Sequence, residues 1–339
     1  MRERRSDFDV TNTVQVSSPT AVHDAVKQLW GELYPEEAFK PVSRAFEIFA
    51  DAFRGDSSRF HAIETTYHDL QHTLDVTLAM ARLLHGYELS SETDDSRLGA
   101  ERAAVGLISA LFHDAGYLRS HGDSEHQHGA EYTRIHVARS AELLAELLPD
   151  LGFEGAAPIA REMVHFTGYE RSFDSLDIED PLWRKTGHLL GTADMLAQMA
   201  DRCYLEKCRD RLYEEFVMGG MARMRAPDGS IIVNYESPKH LLQKTPGFVE
   251  ATLEERIGKK FGNAQRFLGQ HFGGENLYMK EIERNIAHLK RVIEKDRWDL
   301  LRRKPPCFNS DFFRQNEFGG KVFGHRNGDD NGAAGRRLH

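Results

Sequence analysis

Along most of the chain, apolar residues recur at spacings of three and four rather than in alternation. Leu70, Leu74, Leu78, Ala81 and Leu84 form one such series, a stripe along a single helix. The pattern predicts helices near residues 21–34, 41–53, 70–85, 97–112, 125–148, 158–165, 183–216, 238–258 and 275–303. One segment has strand character: "GSIIVNYE", residues 229–236, follows the turn-like "APDGS" and predicts a short hairpin or an extended excursion. The expected fold is all-α, a helical bundle over residues 20–300 with additional C-terminal helices. Residues 1–19 are polar and aperiodic. Residues 301–339, above all after Gly319, are rich in Gly, Asn and charge, so both ends are expected to be disordered.

Composition narrows the possible roles. A chain of 339 residues can bury a sizeable core without disulfides. Its formal charge of −9 comes with Lys and Arg scattered among Asp and Glu, which leaves no basic stripe for a nucleic-acid duplex. Cys203, Cys208 and Cys307 are too few and too irregular for a disulfide framework or a zinc knuckle, and they suit a reducing compartment. The N-terminus "MRERRSDFDV" lacks the apolar core of a signal peptide, and no apolar run approaches bilayer length. A cytoplasmic protein without membrane association is therefore expected.

Candidate chemistry begins at "TTYHDLQHTLDV", where His68 and His72 stand four residues apart beside Asp69 and Asp75 at the expected start of a helix. One helical turn separates them, so both imidazoles would point to the same side. They fit a metal site, a proton-transfer site or two surface residues. In "LISALFHDAGYLRS" an apolar helix ends in His113 and Asp114 and stops at Gly116. That pair reads either as a satisfied core histidine with an Asp at a helix C-cap, or as groups whose burial is offset by a divalent cation. Asp194 lies within "HLLGTADMLAQMADR", apolar nearly all round, and needs a partner. His72, His113, Asp114 and Asp194, from three helices, form a ligand set suited to a first-row divalent metal with positions left for water.

"YHDLQHTLDV", "FHDAGY" and "ADMLAQ" together resemble the His, His-Asp and late-Asp signature of the HD superfamily of metal-dependent phosphohydrolases. The first stretch is similar to the "YHNxxHAxDV" motif of the cyclic nucleotide phosphodiesterases, and the match spans residues 67–201. The resemblance implies an all-α HD domain in which His72, His113, Asp114 and Asp194 bind a first divalent ion (Mg, Mn, Zn or Fe). Asp114 would also reach a second, and His68 would be the catalytic proton donor. Two departures count against cyclic nucleotide specificity: Asp69 replaces the motif's Asn, and "HDAGY" lacks the later His of "HDxxHxGxxN".

Other members of the superfamily draw second-metal histidines from the following helices, which makes His126 and His165 candidate ligands here. His128 and His136 read as surface residues, and Glu125 as an N-terminal dipole partner or a ligand. Asp69 is a helix cap or an orienting partner of an imidazole, and Asp201 is expected to be a solvated charge. Arg119, Arg202, Lys207 and Lys244 are candidate phosphate contacts. The expected activity is hydrolysis of a small phosphorylated substrate, a nucleotide, cyclic nucleotide or other phosphoester. Its rivals are a di-iron oxygenase on the same scaffold and a nucleotide-binding regulatory protein without turnover.

Overall fold

The computed structural model describes residues 4–226 and 228–316. Its described residues are built from helices, with one two-stranded hairpin. In chain order the helices are α1 (Pro19–Gly31), α2 (Lys40–Arg54), α3 (Leu70–Ser90), α4 (Gly99–Phe112), α5 (His136–Asp150), α6 (Ala157–Met163) and α7 (Pro181–Ala200). They continue with α8 (Tyr204–Lys207), α9 (Tyr213–Met218), α10 (Pro238–Ala251), α11 (Arg266–His271), α12 (Leu277–Glu294) and α13 (Ser310–Asn316). None of these is long and apolar enough to cross a membrane.

Helix α3 is the axis of the bundle. Every residue from Leu70 to Gly86 is buried, because α1, α4, α7 and α11 pack around it. A helix enclosed this way needs apolar residues on all faces, and the polar ones it carries need partners. Asp69 is its N-cap, accepting the His72 backbone N–H at 3.0 Å. Helix α4 comes close to its neighbours at Gly106, where a Cβ would lie 2.7 Å from the Met80 methyl and 2.9 Å from the Thr186 methyl.

Several boundaries differ from the periodic pattern. Residues 125–135 are not α-helical; the helix starts only at His136. Short polar side chains take the backbone there. Asp123 accepts the N–H groups of Glu125 and His126, and Glu131 accepts those of Gln127 and His128. The long stretch 183–216 breaks after Ala200, where Asp201 leaves the helix and accepts the Cys203 N–H at 2.6 Å. Beyond it, α8 and α9 are joined by a π-helical turn at Cys208–Leu212. The hairpin is present, pairing β1 (Arg223–Arg225) with β2 (Ile231–Val233).

The ends differ more. Residues 4–18 are folded: Phe8 bridges to Gln15, and Asp9 gathers the backbone N–H groups of Thr11, Thr13 and Val14. Buried Asp9 also pairs with buried Arg82 on α3 at 2.5 Å, and Arg82 reaches the Tyr278 hydroxyl on α12. At the other end, the irregular stretch after Leu301 lies against the segment that precedes α3. The Phe308 N–H donates to Asp69 Oδ2, the Leu70 N–H to the Phe308 carbonyl, and the Ser310 N–H to the Ile63 carbonyl. The expectation of disorder is thus corrected for residues 4–19 and 301–316, while residues 1–3 and 317–339 lie outside the described residues.

Candidate metal centre

Three helices deliver the cluster. His72 comes from the first turn of α3, His113 is the C-cap residue of α4 with Asp114 just after it, and Asp194 comes from the interior of α7. All four are buried, and one nitrogen or oxygen from each of His72, His113 and Asp194 falls within 4.8 Å of the others. Asp114 Oδ2 stands 3.3 Å from His72 Nε2 and 3.2 Å from His113 Nε2. Asp194 Oδ1 lies 3.5 Å and 3.7 Å from the same two nitrogens.

The donor set fits a cation on two counts. His113 donates Nδ1–H to the Ala110 carbonyl at 2.8 Å, so in the neutral ring Nε2 carries the lone pair that faces the carboxylates. His113 Nε2 and Asp114 Oδ2 are both buried and make no hydrogen bond. Two acceptors facing each other away from water are costly unless a proton or metal ion lies between them. Burial works against a charged His72, but the Asp114 and Asp194 carboxylates outweigh it and push its pKa up to about 10. His113 is raised for the same reasons, and Asp114, which burial would raise, is held well below the usual carboxylate range by His113 and His68.

His136 belongs to this centre, contrary to its surface reading. Its Nε2 lies 3.6 Å from Asp114 Oδ1, and its Nδ1–H donates to the Thr133 carbonyl at 2.8 Å. Burial lowers its pKa to about 4, so a neutral ring turns a lone pair toward the second oxygen of Asp114. Gly116 makes the approach possible, since a Cβ there would sit 1.9 Å from the His136 carbonyl oxygen. The glycine is needed for close contact, in addition to stopping the helix. Arg139 fastens the same turn, donating to the carbonyls of Gly116 and Leu118.

His68 lies just before α3 rather than in it, so it does not share a helical face with His72; their ring centres are nonetheless 5.7 Å apart. Tyr117 stacks against both His68 and His136, at 4.7 Å and 4.4 Å, and those two rings are 6.0 Å from each other. Glu215 on α9 positions His68. Its Oε2 lies 2.5 Å from His68 Nδ1, while Oε1 accepts the N–H groups of Thr66 and Tyr67, both at 2.6 Å. Burial alone would raise the Glu215 carboxyl, but His68 and these backbone donors lower it. An ionised carboxylate only accepts, so Nδ1 carries a proton and Nε2 is the atom left for the cavity that His68 lines.

The remaining expected ligands are elsewhere. His126 is half-exposed and bound to the Asp123 carboxylate, Glu125 is exposed, and His128 accepts the Ala130 N–H. His165 is buried, and the charges acting on it belong to Arg171, Glu162, Arg161 and Glu142, not to the cluster. The structure does not bring His126, Glu125 or His165 to the centre. Asp201 is buried and paired with Lys207 at 2.6 Å, so neither is a solvated charge or a free phosphate contact. Arg119 is held by Glu64, and Lys244 lines the cavity.

Compared with known proteins, the chain matches no family model and no curated protein. The buried cluster of His72, His113 and Asp194 has the composition and spacing to hold a metal ion, and that much rests on geometry alone.

Proposed function

We propose that the chain is a metal-dependent phosphohydrolase of the HD type, acting on a small phosphoester. The observation that carries this reading is the pairing of two centres on one cavity: the cluster opened by Asp114 and Asp194, and His68 backed by Glu215. His72, His113, Asp114 and Asp194 would hold a divalent ion, whose chemistry when bound would be to lower the pKa of water and to draw charge off phosphoryl oxygens. His136, facing the other oxygen of Asp114, is the residue present for a second ion.

The chain's own groups do the rest. His113 is fixed by Ala110, and Asp194 by the Gln198 amide at 3.2 Å, so the ligands are oriented before substrate arrives. In hydrolysis the water oxygen bonds to phosphorus, the bond from phosphorus to the leaving oxygen breaks, and that oxygen needs a proton. Protonated His68 donates it from Nε2 while Glu215 holds Nδ1. An oxygen-activating site would want more histidines at the second position; among the described residues, His136 alone of the further candidates lies there.

The test is metal content after purification without chelator, set beside hydrolysis of a panel of cyclic and linear phosphoesters. Bound metal with turnover of at least one ester is the expected result. Bound metal with no hydrolysis of any ester would refute the reading.

A further inference from the structure

The cavity of about 340 Å³ beside the cluster is walled unevenly. Asp114, Asp194, His68 and His136 stand at one end. Much of the rest is Met195, Phe216, Met221, Met224, Leu241 and Phe248. The hairpin extends this surface outward: Met224 pairs with Ile232 across the two strands, and opposed residues share a face. Ile232 is half-exposed, so the apolar face runs from the cavity to solvent.

Most polar groups in the wall are already engaged. Gln198 Oε1 accepts from the Tyr67 hydroxyl at 3.1 Å, and Gln198 Nε2 donates to Asp194. The hydroxyls of Thr133, Thr167 and Thr245 each donate to a backbone carbonyl of the preceding turn. Lys244 Nζ donates to the Asn234 carbonyl at 2.9 Å. Arg134 and Tyr117 are exceptions: Arg134, exposed where it lines the cavity, has no ion pair or side-chain hydrogen bond among the described residues, and the buried Tyr117 hydroxyl has no hydrogen-bond partner.

A nucleobase entering this wall would lose water from its polar edge and find few free donors or acceptors, a loss that sites for polar ligands avoid. A hydrocarbon group meets no such penalty, and methionine-rich walls adapt to its shape. We propose that the substrate is a phosphoester of an apolar alcohol. Its phosphoryl group faces the cluster and His68, its hydrocarbon lies along Met195, Met221, Met224 and Phe248, and Arg134 attracts the anion at the mouth. This inference rests on the phosphohydrolase reading and narrows its substrate.

The experiment uses the full chain, loaded with metal, and two series running from ethyl to octyl: n-alkyl phosphates and their methyl diesters, beside AMP and cyclic AMP. The leaving alcohols are alike in chemistry, so any trend reports the pocket. Each added CH₂ should raise kcat/KM by about two- to fourfold, making the octyl ester better than the ethyl by at least about fiftyfold in one series. Met221→Gln and Phe248→Gln, both at partly exposed positions, should flatten the trend. Calorimetric binding of n-alkylphosphonates reads the same pocket without turnover and should tighten with chain length. A nucleotide cleaved better than the octyl ester, or a flat series in both turnover and binding, would overturn the inference while leaving the hydrolase reading intact. Chain-dependent phosphonate binding with no ester cleaved would overturn the hydrolase reading and support an apolar anionic ligand.

Discussion

The Nδ1 atom of His68 lies 2.5 Å from Oε2 of Glu215, a carboxylate with no exposed surface that also holds the backbone of Thr66 and Tyr67. One side chain therefore sets both the position of the loop and the orientation of the ring. Glu215→Gln keeps an acceptor for the backbone but presents an amide N–H to Nδ1, which favours the wrong tautomer. The substitution should lower kcat/KM by about ten- to hundredfold, the scale on which orienting partners act, while metal content stays at the wild-type value. Loss of metal in parallel with activity would mean that Glu215 supports the cluster instead.

His68 and His72 should fail differently. His72→Ala removes a ligand and should weaken metal affinity by about ten- to hundredfold or more. His68→Ala should retain its metal yet turn over an alkyl phosphoester about a hundred- to ten-thousandfold more slowly. On a nitrophenyl phosphoester, whose leaving group needs no proton, the deficit should shrink. Equal deficits on both substrates would assign His68 to substrate positioning.

Asp194→Asn tests the cluster through stability. Removing metal from the wild-type protein should lower its Tm clearly, because the ion binds only the folded chain. The variant, already short of one ligand, should respond much less. Matched shifts in the two proteins, measured by calorimetry with and without chelator, would place Asp194 outside the ligand set.

Asp9 and Arg82 form the buried pair that ties the N-terminal segment to α3. Asp9→Asn leaves Arg82 without its counter-charge and should cost about 3–5 kcal/mol in urea unfolding at neutral pH. The Asp9 carboxyl, which burial alone would raise, is lowered overall by Arg82, Thr11 and Val14. With a depressed folded-state pKa, its stabilisation is present above the unfolded value of about 4 and is lost as pH falls through the folded one. The gap between wild type and variant should therefore narrow below about pH 4. A gap independent of pH would show that ionisation of Asp9 contributes nothing.

Gly116→Ala should couple stability to activity. The new methyl collides with the His136 carbonyl, so the start of α5 must move, at a cost of about 1–3 kcal/mol. A displaced His136 should reduce turnover further than the stability loss explains at temperatures where the variant is fully folded. Wild-type kinetics in a folded variant would show that the close approach is unimportant to the centre.

The residues that local pattern made legible share one property: apolar neighbours within a few positions. Phe112 and Leu111 precede His113, and Leu190, Ala193 and Leu196 surround Asp194, so their burial, and hence their need for a partner, could be read from the chain itself. His136 in "TRIHVARS" and Glu215 in "RLYEEFVM" have apolar neighbours too, but these are mixed with charged residues, and Ile135, Val217 and Met218 are exposed, so no continuous buried stripe marks the pair. Their placement comes from tertiary neighbours, the Gly116 turn in one case and the loop before α3 in the other. The burial of Asp9 and Asp201 is not legible locally for the same reason, since the cations that receive them, Arg82 and Lys207, are not marked as partners by any local periodicity. Helices with a continuous stripe, such as α3, begin where the pattern predicts, whereas residues 125–135 and 201–203 depart from it because side-chain-to-backbone bonds compete with the helix there.

The hydrogen bonds from Phe308 to Asp69 and from Leu70 back to Phe308 join positions 239 and 238 residues apart. The cap of the helix that carries His72 is thus completed by nearly the last described stretch of the protein. During synthesis α1, α4 and α7 emerge well before α11, so the packing around α3 is assembled in that order. The entrance to the first turn of α3 cannot be finished until the ribosome has passed Phe308, so a nascent chain holds His72 without the backbone contacts that complete its helix cap.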